Sequence, residues 1–238
     1  QKFSLKGAKE LGRALNVLWN CYLFTKTYGE EVKEDSFRIE DLWIMSKINS
    51  LIKNVTEWLE NFSFHLAGRG LVDFILNDFS RWYIKLVRDR VSPWYSGKDK
   101  AAAQYTLRYV LEKLVKLLAP ITPFISEAIY QELFAKEGEE SVHLASWPEP
   151  NEKLIDKKLE DGVEIVKTIV EGINSARQEA KAKLRWPIEW VKIALKDRKI
   201  EKKIGDLDDM IAKMANVKKI KFVKGPCRHE FYLGTLEI

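Results

Sequence analysis

A mainly α-helical fold is predicted, with an antiparallel helix bundle followed by a small α+β domain. Three features of the sequence predict it. From residue 5 to about residue 136, apolar side chains recur at the three- and four-residue spacing of amphipathic helices. Short polar or glycine-bearing breaks separate these segments. Beyond Pro187 short apolar runs alternate with lysines, which is the pattern of β-strands.

The bundle is predicted to contain five helices, joined by short links that favour antiparallel packing. The third helix stops near Ser92, because the residue before a proline is pushed out of the helical conformation. Thr122 and Pro123 suit the N-cap and the first position of the fifth helix. The predicted helices span about residues 5–28, 40–66, 70–92, 99–118 and 123–135.

A proline-rich connector leads out of the bundle. It reads S-V-H-L-A-S-W-P-E-P-N at 141–151 and has no helical spacing. The chain beyond it is predicted to begin with a long helix, from about Glu152 to about Lys183, and to continue as about three strands with one helix on them. We therefore expect two domains, 1–150 for the bundle with its connector and 151–238 for the α+β part. The predicted strands cover about 188–196, 217–224 and 229–238, and the helix about 206–215.

No motif in the chain indicates catalysis or a bound cofactor. The sequence has no phosphate-binding glycine loop, no G-x-G-x-x-G, no nucleophile elbow and no histidine pair at metal spacing. His65, His143 and His229 are scattered, and Cys227 with His229 supplies only two of the four ligands that a structural zinc requires. We therefore expect no catalytic residue, no metal and no cofactor in this chain.

The charge balance favours a polyanionic partner. Lysine and arginine total 40 against 35 aspartate and glutamate, which gives a net charge of +5. No apolar run approaches the roughly 18 residues of a membrane span, and the N-terminus lacks the apolar core of a signal peptide. The expected location is the cytoplasm, with no membrane contact.

The motif F-S-R-W-Y-I-K-L-V-R-D-R-V-S-P-W-Y at 79–95 places cations between large aromatic residues. At about 100° per residue, its aromatic side chains, such as Trp82 and Tyr83, face the core. Arginine pairs with phosphate and stacks on bases, so the opposite face is suited to RNA, although an ordinary solvated surface explains it equally well. The cations on that face are Arg81, Lys85 and Arg88.

Two further residues of this motif have separate interpretations. Arg90 falls in the middle of the apolar arc, where a charge needs a partner. An internal ion pair with an acidic residue such as Glu127 is favoured there over a phosphate contact. Trp94 follows the proline break and either offers a stacking platform for an unpaired base or covers the core.

A second group of cations ends the sixth predicted helix. Arg177 and Lys181 share a face one turn apart, and Lys183 and Arg185 follow, immediately before Trp186-Pro187. Cations near a helix C-terminus also interact favourably with the helix dipole, which accounts for part of this group without any ligand. RNA contact is the functional interpretation.

Six segments carry a family resemblance. They read L-N-V-L-W-N-C-Y-L-F at 15–24, D-L-W-I-M-S-K-I-N at 41–49, D-F-S-R-W-Y-I-K-L-V-R-D-R at 78–90, L-L-A-P-I-T-P-F-I-S-E at 117–127, S-V-H-L-A-S-W-P at 141–148 and K-L-R-W-P-I at 183–188. In this order they resemble the C-terminal part of class I aminoacyl-tRNA synthetases of the isoleucine, valine and leucine group. The third and sixth segments look most like isoleucyl-tRNA synthetases of the archaeal and eukaryotic type.

The resemblance implies an anticodon-binding helical bundle and a C-terminal junction domain, with the anticodon stem-loop of tRNA(Ile) as ligand. The parent would be an isoleucine-tRNA ligase that uses ATP and Mg. Because the family's catalytic and editing motifs have no counterpart here, and Gln1 is not an initiator methionine, we expect an inactive fragment whose partner is the catalytic domain of the same polypeptide. The alternatives are the same region of a valyl-tRNA synthetase, or a helical protein-docking module without RNA contact. The expected tRNA contacts are Arg81, Lys85, Arg88, Trp94, Arg177, Lys181, Lys183 and Arg185.

Overall fold

The fold is mainly helical, as the sequence predicts. The computed structural model describes residues 5–30, 36–136, 138–197, 200, 204–205, 207–225, 227, 229–231 and 234–237. The chain divides into two compact units, residues 1–155 and 156–238. None of the described helices combines the length and the apolar character that crossing a bilayer requires.

The first unit is built from helices throughout its described secondary structure. The elements are α1 (Leu5–Tyr28), α2 (Ile39–Glu60), α3 (Phe64–Asp73), a π-helical segment (Phe74–Ile84), α4 (Lys85–Val87), α5 (Lys100–Leu118), α6 (Pro123–Leu133) and a 3₁₀ turn (Glu152–Leu154). α2 packs against α3 and α5, α1 packs against the π-helical segment and α5, and α5 packs against α6. The antiparallel orientation of these helices stays a prediction.

Large side chains from every long helix of this unit meet in one core. Among them Trp43 of α2, Tyr83 of the π-helical segment, Leu107 of α5 and Tyr130 of α6 are at most 2% exposed. Phe79 and Tyr83 stack with ring centres 6.3 Å apart. The aromatic residues of the 79–95 motif inside the helix therefore belong to the core, as predicted, and burying each ring contributes roughly 1.5 to 3 kcal/mol.

The third helical stretch, from α3 through α4, winds differently from the prediction. Its middle segment has the i to i+5 hydrogen bonding of a π-helix, so each residue turns through less than the roughly 100° of an α-helix. Underwinding keeps residues four apart on one side, and buried pairs accordingly recur every four residues. The pairs are 74/75, 78/79, 82/83, 86/87 and 90/91.

The second unit begins with a capped helix and ends in a sheet. The Asp156 carboxylate accepts the Leu159 N–H at 3.0 Å, which starts the helix later than the predicted Glu152. The elements are α7 (Lys157–Glu179), β1 (Ile188–Leu195), α8 (Asp208–Ala215), β2 (Val217–Phe222), β3 (His229–Phe231) and β4 (Gly234–Glu237). The sheet has strand order β2-β1-β4-β3, with β1 parallel to β2 and the other neighbours antiparallel.

The prediction of about three strands is wrong in one respect, since the described residues contain four. The run 229–238, predicted as one strand, forms two antiparallel strands, with Phe231 paired to Gly234. β4 also pairs with β1, where Ile193 lies opposite Leu236. Gly234 is the first residue of β4, and a glycine inside a strand pattern weakens it because it has no side chain to pack.

Burial of Cys21 in α1 gives a direct test of the packing of the first unit. Burial raises the pKa of its thiol to about 12, although a hydrogen bond with Ser80 acts in the opposite direction. At pH 8 only about one thiol in ten thousand would be the reactive thiolate. In a Cys227→Ser variant we expect iodoacetamide to leave Cys21 unmodified in the native protein and to alkylate it in denaturant. Rapid labelling without denaturant would contradict this packing.

Candidate nucleic-acid interface

Three exposed cations follow one another along the third helical stretch. Arg81 lies in the π-helical segment, Lys85 in α4 and Arg88 at the start of the next turn. Partial burial lowers the pKa of the Lys85 ammonium. The Arg88 guanidinium lies 5.9 Å from the centre of the Phe24 ring. Spacings of four and three residues keep these cations on one side of the helix, so their charges can act together on a chain of phosphates.

A cleft of about 870 Å³ lies between α1 and this helical stretch. Arg13 of α1 and Arg81 both line it, and Arg13 is exposed. Arg13 is not among the predicted contacts, because its proximity to Arg81 depends on a tertiary contact between α1 and the π-helical segment, which residue spacing cannot show. The remaining lining residues are Leu11, Val17, Val72, Leu76, Asn77 and Ser80.

Trp94 stands out from the turn that follows α4. Its side chain is 85% exposed, so the ring does not cover the core, which was one of the two interpretations. An exposed indole costs free energy unless a ligand covers it, because about 25 cal/mol is lost for each Å² of apolar surface left in water. The geometry is that of a stacking platform, and its use for RNA stays a prediction.

Arg90 forms the internal ion pair that the sequence predicts, with different partners. Its guanidinium bonds to Glu40 at 2.7 Å and to Asp41, and Arg90 is only 3% exposed. Glu127, the predicted partner, instead accepts hydrogen bonds from Gln131 and from the backbone N–H of Val142. The prediction failed on the partner because α2, rather than α6, supplies the carboxylates that meet Arg90.

The Asp41 carboxylate joins this ion pair to the start of α2. It accepts the Tyr83 hydroxyl at 2.7 Å and the Arg38 backbone N–H at 2.9 Å. Burial raises the pKa of Glu40, and the nearby charge of Arg90 opposes that rise. The buried anions therefore depend on Arg90 for their countercharge.

The same network fixes the turn that displays Trp94. Arg38 pairs with Asp99 at 2.5 Å, and the Tyr95 hydroxyl donates to Asp99 at 2.8 Å. Burial raises the pKa of Asp99, but the hydrogen bonds and the charges of Arg38 and Arg90 outweigh it and leave this pKa below its usual value. Lys100 donates to the carbonyl of Ser92 at 2.9 Å. These bonds fix the backbone on both sides of Trp94 and so determine where its exposed ring stands.

A pocket of about 290 Å³ lies between α5 and α6. Tyr105 and Tyr109 line one side with rings 6.0 Å apart. Arg108 donates to the carbonyl of Leu133 at 2.7 Å and lies 4.9 Å from the centre of the Phe134 ring. An aromatic pocket with fixed polar groups can hold a planar ring. The four-residue repeat of tyrosines on the fourth predicted helix was the available signal in the sequence.

Arg177 corrects the prediction for the second group of cations. It is 0% exposed, and its guanidinium donates to the carbonyls of Ala215, Lys183 and Trp186. The prediction placed Arg177 on the face of Lys181, but α7 ends at Glu179 and Lys181 takes a left-handed φ of 54°. The direct phosphate contact at Arg177 is therefore withdrawn.

The other three cations of this group are exposed on one loop. Lys181, Lys183 and Arg185 all lie between α7 and β1. The loop also exposes Leu184 and Trp186, at 52% and 55%. The Lys183 ammonium lies 5.6 Å from the centre of the Trp186 ring. Cationic and aromatic groups are thus side by side on this loop, while their contact with RNA stays a prediction.

No group of three or more potential metal ligands was found among the described residues. His229, one of the two residues considered for a metal, instead lies with Nδ1 3.0 Å from the Glu179 carboxylate.

The family model for the anticodon-binding domain of tRNA ligase matches residues 41–221, about three quarters of the chain. The chain belongs to this anticodon-binding family. It is 41% identical over 231 residues to an isoleucine–tRNA ligase of Pyrococcus furiosus and 41% identical over 233 residues to one of Methanopyrus kandleri. Each alignment covers 92% of the chain but only 22% and 21% of those ligases. The chain thus spans about a fifth of the length of the curated relatives it matches.

The match to the anticodon-binding family includes parts of both units. All eight residues predicted to contact tRNA lie within 41–221, whereas Arg13 in the cleft lies outside it. The isoleucine–tRNA ligase of Methanothermobacter thermautotrophicus, 40% identical over 232 residues, covers 92% of the chain and so reaches beyond the family match. The similarity to these ligases therefore extends over the bundle and into the sheet.

Proposed function

We propose that this chain is the anticodon-binding part of an isoleucine–tRNA ligase and binds the anticodon stem-loop of tRNA(Ile). The observation that carries the proposal is the family match across both units, together with the similarity to isoleucine–tRNA ligases. Aminoacylation, with its ATP and Mg, would be the work of the catalytic domain in the same polypeptide. Residues 1–150 would form the antiparallel anticodon-binding bundle and 151–238 the junction domain.

Two kinds of contact would hold the stem-loop. Arg81, Lys85 and Arg88 present adjacent positive charges for phosphates, and such contacts fix orientation without reading sequence. Trp94 presents an open aromatic face, on which an unstacked base of the loop can lie. The buried network around Arg90 would keep both elements in the binding geometry before tRNA arrives, which lowers the entropy cost of binding.

An exposed apolar stripe on α1 suits contact with the rest of the parent polypeptide. Trp19 and Leu23 are 39% and 45% exposed, although the opposite side of α1 is buried in the bundle. A repeat of four residues aligns the stripe along the helix. Because the related ligases are several times longer than this chain, we propose that another domain of the ligase covers it. Its members are Leu11, Leu15, Trp19 and Leu23.

Removing two cations from the third helical stretch tests the phosphate contacts. We expect the double variant Arg81→Ala, Arg88→Ala to bind tRNA(Ile) about three- to tenfold more weakly at low salt. The slope of log K against log salt should also become shallower by about 1.4 to 1.8, because each lost phosphate contact removes roughly 0.7 to 0.9. Filter binding from low to moderate salt measures both quantities.

Arg69→Ala is the control for this pair, because Arg69 is exposed on α3 outside the predicted contacts. It should change neither the affinity nor the salt slope. A double variant with the slope of the unmodified chain would remove these cations from the interface.

A further inference from the structure

The loop between α7 and β1 is an independent feature of the second unit. We propose that residues 180–187 form a second RNA-binding surface, on which Trp186 stacks with an unpaired base, and that buried Arg177 is the positioning residue that orders it. This inference rests on the proposed function, because the RNA concerned is the bound tRNA. It also replaces the direct phosphate contact predicted for Arg177.

The bonds of Arg177 are those of a structural clamp. One guanidinium nitrogen donates to the carbonyl of Ala215 at 2.9 Å, and another donates to the carbonyls of Lys183 at 2.6 Å and Trp186 at 2.5 Å. All three acceptors are backbone oxygens, two of them within the loop. Carbonyl groups held away from water need donors, and the guanidinium fork supplies several from one side chain.

Other backbone contacts fix the same loop at both ends. The Ala182 N–H donates to the carbonyl of Arg177 at 2.8 Å, and the Trp186 N–H donates to the carbonyl of Lys183 at 3.0 Å. The Asn216 side-chain amide donates to the carbonyl of Leu184 at 3.1 Å. Lys181 takes a left-handed conformation that is unfavourable for a residue other than glycine. These hydrogen bonds hold the backbone of the loop in one conformation.

The ordered loop presents side chains that suit single-stranded RNA. Trp186 and Leu184 are more than half exposed, whereas Arg177 is buried, which reverses the usual placement of apolar and charged residues. Lys183 and Arg185 are exposed, and the Lys183 ammonium lies close to the indole. Aromatic rings flanked by cations bind unpaired bases and the neighbouring phosphates with little dependence on sequence. A base of the tRNA is therefore the occupant we assign to Trp186.

Surface variants of the full chain test the binding surface. We expect Trp186→Ala to weaken binding of a tRNA(Ile) transcript by roughly 5- to 100-fold, the range for losing one stacked base. Arg185→Ala should weaken binding less and make the salt slope shallower by about 0.7. Phe124→Ala is the matched control, since Phe124 is a 91% exposed aromatic on α6, and it should bind as the unmodified chain does.

Trypsin measures the positioning role of Arg177 separately, because it cleaves after lysine and arginine within this loop. In Arg177→Lys we expect faster cleavage after Lys181, Lys183 and Arg185 and about three- to tenfold weaker tRNA binding. Trp186→Ala should keep the slow cleavage of the unmodified chain. Circular dichroism of Arg177→Lys shows whether the second unit remains folded, and the two surface variants test the binding surface in either case.

Two outcomes would overturn the inference. Unchanged tRNA binding in both Trp186→Ala and Arg185→Ala would remove the loop from the interface, and the proposed function would still stand if the Arg81 and Arg88 variant binds less tightly. Unchanged cleavage and binding in a folded Arg177→Lys variant would remove its positioning role. If the unmodified chain does not bind tRNA at all, the proposed function itself fails.

Discussion

Replacing Arg90 by methionine is expected to lower the free energy of unfolding of the helical unit by about 3 to 5 kcal/mol, the usual cost of removing one partner from a buried ion pair. Asp41 is 0% exposed and would keep its carboxylate in the core without a cation. Glu40 would lose its 2.7 Å contact as well. Chemical denaturation followed by circular dichroism measures the change.

The loss of unfolding free energy in Arg90→Met should grow as the pH rises. Burial raises the pKa of Glu40 above its usual value, and Arg90 opposes this rise, so the variant raises that pKa further. A carboxyl whose folded pKa exceeds its unfolded pKa stabilises the fold below the unfolded pKa and loses that contribution as the pH rises through the folded pKa. The free energy of unfolding that Arg90→Met loses relative to the unmodified chain should therefore be smaller near pH 5 than near pH 8.

Arg88→Met is the matched control for this variant. Arg88 is two residues away, exposed, and contacts the Phe24 ring rather than a buried carboxylate. We expect its free energy of unfolding to stay within about 0.5 kcal/mol of the unmodified chain. If Arg90→Met lowers the free energy of unfolding by less than about 1 kcal/mol at pH 8, the buried ion pair does not stabilise the helical unit as described.

The buried and the exposed sides of the third helical stretch were predictable from the sequence, because the spacing of residues decides which of them face the core. Phe79, Trp82 and Tyr83 are buried and Arg81 is exposed, as expected. The π-helical segment was not predicted, since a rule of about 100° per residue assumes α-helical winding. The repeat of buried pairs every four residues is consistent with an underwound helix, but two of the pairs contain a charged residue, Asp78 or Arg90, so the apolar pattern of the sequence does not show it.

The two buried arginines show where sequence reasoning ends. A charge in the apolar arc correctly placed Arg90 inside, but its partners lie about 50 positions earlier in α2, and only tertiary packing brings them together. Arg177 sits in the last turn of α7, four residues after the buried Ile173, so helical spacing places it on the inward side, but spacing could not show which groups would receive its charge. The chain then reverses at Lys181 and folds the carbonyls of the loop over the guanidinium.

The strands show the same limit on a smaller scale. Alternating residues predicted a sheet beyond Pro187, and β1 and β2 lie within the predicted runs. Pairing was not predictable, because β1 lies parallel to β2 and antiparallel to β4, and the register depends on which faces α7 and α8 cover. The local residue pattern therefore predicted which segments form strands. Long-range contacts decide which strands pair with one another.

Recognition of the anticodon is the second large effect expected for this chain. Base-reading contacts contribute about 1 to 3 kcal/mol of discrimination each. Two such contacts at the lower value already amount to about a thirtyfold difference. A tRNA(Ile) whose anticodon is replaced should therefore bind at least tenfold more weakly, while its phosphates still meet Arg81, Lys85 and Arg88. The salt slope should stay nearly the same for both RNAs, because the number of phosphate contacts does not change.

Filter binding of the chain to tRNA(Ile) and to the same tRNA with its anticodon exchanged tests the central claim most directly. A mutated acceptor stem serves as the control, because the proposed function places the acceptor end at the catalytic domain. We predict that the anticodon exchange weakens binding at least tenfold and that the acceptor mutation changes it less than twofold. Equal affinity for the native and the anticodon-exchanged tRNA would contradict anticodon recognition by this chain.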